Sequence, residues 1–268
     1  MRPIVFLTDY GLGDEFVGVC HGVMERIAPG VTVIDLTHAI PREDVVQGAL
    51  TLGRAVRFMP DNAVHLAVVD PGVGSERKPI ALRGGDDRLY VGPDNGLLLV
   101  AADRLGGVAE AIEIAEAAYM LERISHTFHG RDIFSPAAAH LASGVEIAKL
   151  GPALDPAELH RLEFPEPSVG ETRIRATVLY VDRYGNVQLN LTAEHLSRVG
   201  IDPGARVEVE VGFERYFAVA ARTFADARMG DIVLYEDAYA NIALAINRGD
   251  AARMFSVRVG DELRLTSA

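Results

Sequence analysis

Three side chains in this sequence have the chemistry to manage a single water molecule: a carboxylate, a guanidinium and an imidazole. Asp70 closes the apolar run His65–Val69. Pro71, Gly72 and Gly74 then make a turn that continues neither strand nor helix, and Arg77 follows. Ligands of open parallel sheets sit beyond the carboxyl ends of the strands, so an acid there with a cation close behind it marks a candidate site. His129 lies in the polar segment HTFHGRD (126–132), where an imidazole can act as a general base or as an orienting group. His126, His129 and Asp132 also leave a metal-dependent hydrolase open, although no second ligand cluster accompanies them. The glycine pairs Gly11/Gly13 and Gly72/Gly74 each lack the third glycine of a dinucleotide fingerprint, and there is no P-loop, HExxH or GxSxG.

The elements that must position these groups alternate in type. Pro3–Thr8, Val31–Leu36 and Val64–Val69 read as buried strands, with Ile80–Leu82 and Leu89–Val91 as two short ones. Between them, Asp14 is the expected N-cap of a helix over Glu15–Ile27, and Asp44 starts a helix running toward Pro60. Further helices are expected from Leu97 to Asp103 and from Ser135 to Leu141. Strands alternating with helices over short links predict a mostly parallel α/β sheet. A proline-rich stretch follows, and beyond it the apolar runs are β-like: Thr172–Asp182, Val187–Leu191, Arg206–Val211, Tyr216–Ala220, Ile232–Tyr235 and Ser256–Leu265. The expected organisation is an α/β domain over 1–160, a linker over 161–171 and a smaller all-β barrel or sandwich over 172–268.

Composition narrows the function. The 268 residues are 49% hydrophobic and carry a net charge of −12 with no basic stripe, which argues against a nucleic-acid partner. Cys20 is the single cysteine, so no disulfide forms within the chain. No run approaches the ~20 apolar residues of a membrane span, and the N-terminus has too short an apolar stretch for a secretory signal. The chain therefore reads as cytoplasmic.

Six ordered segments carry a resemblance: LTDYGLGDEFVG (7–18), VVDPGVGSER (68–77), VGPDNGLL (91–98), TFHGRDIFSPAAAHLA (127–142), VDRYGNVQLN (181–190) and TFADA (223–227). Together they resemble the S-adenosyl-L-methionine (SAM) hydroxide adenosyltransferases, or SAM hydrolases, relatives of the SAM-dependent fluorinase and chlorinase. The resemblance implies an N-terminal α/β domain and a C-terminal β-barrel, in a homotrimer whose pocket lies between the N-domain of one subunit and the C-domain of its neighbour. It implies attack of water or hydroxide on C5′ of SAM, with no cofactor and no metal, by Asp70, Arg77 and His129. It further implies substrate contacts from Asp9 to the ribose, from Phe128 and Phe224 to the adenosine, and from Asp182 and Asn186 to the methionine end. At Asp237–Asn247 the chain departs from the family pattern, which leaves Tyr239 and Asn241 as the candidate contacts there. A halogenase is the nearest rival reading, but those relatives carry a tyrosine where Asp70 stands, lack equivalents of Arg77 and His129, carry a serine where Gly130 stands and have a long insertion at 84–88, so the resemblance favours water as nucleophile. A non-catalytic SAM- or adenosine-binding module is the rival outside the family.

Overall fold

Short runs of β-branched and apolar residues build the first sheet of the computed structural model, which describes residues 1–268. Its strands are β1 (Ile4–Thr8), β2 (Val33–Thr37), β3 (Val64–Val68), β4 (Pro79–Gly84), β5 (Leu89–Pro93), β6 (Val108–Glu113) and β7 (Ala153–Leu154). They lie in the order β2-β1-β3-β5-β4-β6-β7. The first four neighbours are parallel, and the remaining pairings, from β5–β4 onward, are antiparallel. Every residue of β1 and β3 is buried, as expected of central parallel strands covered on both faces.

Helices α1 (Phe16–Ile27), α2 (Val45–Ala55), α3 (Leu99–Asp103) and α4 (Ser135–Ala142) supply that cover. Successive strand residues point to opposite faces. Phe6, Leu66 and Val68 accordingly pack with Cys20 and Met24 of α1 and Ala138 of α4. Leu7, Ala67 and Val69 pack instead with Ala49 and Leu52 of α2 and Leu99 of α3. Asp44 caps α2 by accepting from the Gln47 N–H at 2.9 Å. The expected cap on α1 is not made: Glu15 occupies the cap position and no side chain bonds there. Strand β6 is not evident from sequence because VAEAIE intersperses acids and alanines with its apolar residues.

A second compact unit begins at Glu163, the first ending at Leu162. It carries β8 (Ser168–Val169), β9 (Arg173–Val181), β10 (Val187–Leu189), β11 (Arg206–Val211), β12 (Glu214–Ala220), β13 (Ile232–Glu236), β14 (Ile242–Ile246) and β15 (Glu262–Ser267), with short helices α5 (Ala193–Arg198) and α6 (Ala251–Phe255). The order is β10-β14-β13-β12-β11-β15-β9-β8, and a further β10–β9 pairing closes seven of the strands into a barrel. Its interior is filled by side chains such as Ile174, Val207, Leu234, Leu244 and Leu265. The strand expected from Ser256 begins only at Glu262, because Ser256 sits in the left-handed region at the end of α6 (φ 53°). The expected fold class, an α/β sheet followed by a β-barrel, is the one observed.

Candidate active site

The loop after β3 is shaped to bring Arg77 back onto Asp70. The Val73 N–H bonds to the Asp70 carbonyl at 3.2 Å, and the Ser75 hydroxyl donates to the Gly72 carbonyl at 2.7 Å. Asn95 fixes the strand end, its side-chain amide donating to the Val69 carbonyl at 2.9 Å. Two of the loop's glycines have steric reasons. Gly74 has φ +78°, and a Cβ there would lie 2.5 Å from the His126 carbonyl oxygen. At Gly72 a Cβ would press on the Arg77 side chain at 3.3 Å. The Gly74 contact brings the Asp70 loop against the segment that leads to His129.

Arg77 Nε donates to Asp70 Oδ1 at 2.9 Å, and Arg77 Nη2 donates to Asp70 Oδ2. Nη2 also lies 3.1 Å from His129 Nδ1. The three side chains therefore form one connected chain. The pair is desolvated, with Arg77 and Asp70 side chains 10% and 7% exposed, and the guanidinium stacks over the Phe134 ring at 5.1 Å. Because Arg77 has only donors, His129 Nδ1 must be the acceptor, and the neutral ring then carries its proton on Nε2. Burial, and next the Arg77 charge, hold the His129 pKa below the ordinary imidazole value.

His129 opens a π-helical turn, Gly130–Phe134, ahead of α4; such turns are frequent at functional sites. Asp132, fully buried, orders this stretch. Its Oδ2 accepts from the Ser125 N–H at 2.8 Å and the Ser125 hydroxyl at 2.7 Å, and Oδ1 accepts from Arg131 Nε at 2.6 Å. The Ser125 hydroxyl in turn accepts from the Phe128 N–H at 3.1 Å. Asp132 is thus committed to tying the loop that presents Phe128 and His129. From sequence Asp132 stands out only as a metal-ligand option, since nothing local reveals that its partner is Ser125.

Asp70 and His129 face a cavity of about 520 Å³ that is also lined by Asp9, Tyr10, Phe16 and Phe128, a volume in the range of small-molecule sites. Asp9, just past β1, accepts from the Glu43 N–H at 2.8 Å, and burial raises its pKa. Tyr10, Phe16 and Phe128 meet edge to face, with centroids 5.3–6.0 Å apart. Tyr10 explains Gly130: a Cβ at residue 130 would lie 2.0 Å from the Tyr10 hydroxyl. Neither Tyr10 nor Phe16 is among the sequence candidates, because an aromatic beside a helix start reads as core.

The remaining candidates belong to the barrel unit. Asp182 and Asn186 form the β9–β10 turn, where Asp182 Oδ1 accepts from the Tyr184 and Asn186 N–H groups at 2.8 and 2.9 Å and Asn186 Nδ2 donates to Asp182 Oδ2 at 2.7 Å. Tyr239 and Asn241 lie in the β13–β14 turn, both donating backbone N–H to Asp237 Oδ1. Phe224 is 39% exposed and packs on Tyr235 at 4.9 Å. Burial, reinforced by Asp182 and Asp237, pushes the Tyr235 phenol up to about 12. Both turn acids thus lie near one ring, and no motif in the sequence marks that ring.

A half-parallel α/β sheet with an acid–guanidinium–imidazole chain at a strand end, followed by a closed barrel, defines the class of the molecule. Residues 4–151 match the SAM hydroxide adenosyltransferase N-terminal domain and residues 176–264 match the C-terminal domain of the same family, so the chain belongs to that family. It is 47% identical to the (R)-S-adenosyl-L-methionine hydrolase of Salinispora tropica, over 98% of this chain and 97% of that protein. It is 29% identical to a fluorinase of an Actinoplanes species, over 100% and 98% of the two chains. A solved structure of an uncharacterized conserved protein from Thermotoga maritima superposes with a TM-score of 0.93 at 37% identity, covering 98% of this chain and 99% of that one.

Proposed function

We propose that this protein hydrolyses SAM to adenosine and L-methionine, with Asp70, Arg77 and His129 holding the attacking water. The observation that carries the reading is the Asp70–Arg77–His129 chain, whose two ends, Asp70 and His129, line the cavity while Arg77 joins them from behind. The substrate's sulfonium is already a good leaving group. The new bond is water oxygen to C5′, the C5′–S bond breaks, sulfur keeps the electron pair as a neutral thioether, and one proton is released. The protein's task is to place the water in line behind C5′ and to accept its proton. Each Asp70 oxygen accepts from Arg77 and retains a lone pair for the water, so Asp70 takes the water's hydrogen. Arg77 fixes the carboxylate plane and compensates its charge. His129, its Nδ1 turned to Arg77, presents Nε2–H and orients the water oxygen. No cofactor enters this scheme, and SAM is the substrate.

Asp9, on the cavity wall, would accept from the ribose hydroxyls, and Phe128 would flank the adenosine. Asp182, Asn186, Phe224, Tyr239 and Asn241 would come from a neighbouring copy in a homotrimer. That arrangement is supported by exposed apolar side chains on both units, Leu12 at 79% and Tyr184 at 71% among them. A carboxylate at position 70 repels a desolvated halide, which favours water over halide as nucleophile.

Incubation with SAM in oxygen-18 water, with and without chloride or fluoride, tests the reading by mass analysis of the products. Label in the 5′-hydroxyl of adenosine is expected in both. A 5′-halogenated nucleoside would make the protein a halogenase, and intact SAM would make it a binding module.

The imidazole adds a pH signature. Protonated His129 would turn an N–H toward the Arg77 guanidinium, so activity is lost as pH falls through the folded-state pKa. That pKa lies below the ordinary value near 6.5. The acid limb of kcat/KM is therefore expected below about pH 6.5 and should move to lower pH in His129→Asn, which keeps an acceptor facing Arg77 but does not titrate. A limb that stays at the same pH in that variant removes His129 from the assignment.

A further inference from the structure

On the α1 side of the first sheet, two imidazoles that take no part in the proposed reaction converge on one carboxylate. His21 Nε2 lies 2.9 Å from Asp35 Oδ1, and His38 Nε2 lies 3.0 Å from the same oxygen. All three donor atoms fall within 4.8 Å of one another. The groups come from three places in the fold: His21 from the middle of α1, Asp35 from the edge strand β2, and His38 from just beyond that strand. Phe6 forms the floor. It is the register partner of Asp35 across β1–β2, and its ring lies 5.9 Å from His21 and 4.8 Å from His38, centroid to centroid.

We propose that His21, Asp35 and His38 form a binding site for one divalent transition-metal ion, with Zn²⁺ as the probe ion and water completing its coordination. Tetrahedral zinc with ligands near 2.0–2.1 Å spaces its donor atoms by about 3.3–3.5 Å. The two distances to Asp35 Oδ1 need a few tenths of an ångström of opening, and the two imidazole nitrogens, which lie within 4.8 Å of each other, need to close toward one another by about an ångström, a movement open to the partly exposed His21 side chain. Two neutral imidazoles and a carboxylate are ligands suited to such an ion. The outer partner is also in place. His38 Nδ1 lies 2.8 Å from the hydroxyl of Thr8, which is fully buried, and that hydroxyl accepts from the Tyr10 N–H at 3.2 Å. Without metal, Thr8 donates to Nδ1 while Nε2–H bonds Asp35. With metal on Nε2, the ring proton moves to Nδ1 and donates to Thr8, so the same pair serves both states with no change in charge. A hydrogen-bonded outer partner of this kind fixes the tautomer of metal-ligating histidines.

The site has a structural consequence. The His38 carbonyl accepts from the Gly11 N–H at 2.7 Å, so an ion on His38 would stiffen the turn Asp9–Gly11 from both sides. The ion takes no part in the water chemistry proposed above, and the two readings fail separately.

The untagged full-length chain, stripped with a chelator and titrated with Zn²⁺ against a chromophoric competitor, decides the matter. One equivalent is expected to bind, and to raise the midpoint of thermal unfolding relative to chelator-treated protein. His21→Ala and Asp35→Asn should each lose more than about tenfold in affinity, and Thr8→Val about tenfold through the second ring nitrogen. His21 and Asp35 are partly exposed and sit on different elements, so a folding defect in one variant leaves the other to decide. Absence of zinc binding to the parent chain would overturn the proposal and leave a purely hydrogen-bonded triad. Undiminished binding by both His21→Ala and Asp35→Asn would overturn it equally, by placing the ion elsewhere.

Discussion

Replacing Asp70 with alanine is expected to lower the rate of SAM hydrolysis by about 10³-fold, within the 10²–10⁴ range of a positioned acid–base group, while SAM still binds. The cavity's remaining walls, Asp9, Tyr10, Phe16 and Phe128, are untouched by the substitution. Binding measured by calorimetry should therefore change by much less than turnover. Asp70→Asn is the sharper companion, because it preserves an oxygen for Arg77 Nε yet cannot accept the water's proton. Comparable losses in both variants would mark the carboxylate's charge as the active feature. A rate within about tenfold of the parent in Asp70→Asn would show that Asp70 merely shapes the loop, and the hydrolytic scheme would need another group.

That Asp70 can be singled out from sequence at all reflects where it sits. A buried parallel strand announces itself as an unbroken apolar run, and the first polar residue after it falls at the sheet's carboxyl edge. The strands β1, β3 and β5 and the cap of α2 are legible for the same reason, since each is written in contiguous residues. What stays hidden depends on partners distant in the chain. Nothing around Gly130 reveals that Tyr10 occupies the space its side chain would need. Asp132 reads only as a metal-ligand option until Ser125 and Arg131 fold onto it, and His21 and Asp35 gain meaning only once α1 lies beside β2. The π-helical turn before α4 is likewise invisible to a 3.6-residue periodicity, because one inserted residue shifts the register. The barrel's β14 is hidden for a different reason: Ile242–Ile246 is five residues long and apolar at every position, so no alternation distinguishes it as a strand.

The second large effect concerns the partner of Asp70. Arg77→Leu is expected to destabilise the α/β unit by about 3–5 kcal/mol, the usual result of leaving one member of a buried ion pair unpaired. The Asp70 carboxyl group, 7% exposed, would lose both guanidinium donors and have no solvent to replace them. Thermal unfolding should fall by about 10 °C for a unit of this size. The magnitude follows from desolvation, not from the attraction itself, and that distinction is testable by removing both charges. In Asp70→Leu/Arg77→Leu no orphaned charge remains, so stability should return close to that of the parent although catalysis does not. A double variant as unstable as the sum of the two single ones would mean that Arg77 stabilises the fold by its packing on Phe134, with the ion pair contributing nothing. If instead the pair is coupled as expected, the double variant isolates what Asp70 and Arg77 are retained for: a folded, stable α/β sheet with an intact cavity and no means of directing water would locate their value in the reaction and not in the fold.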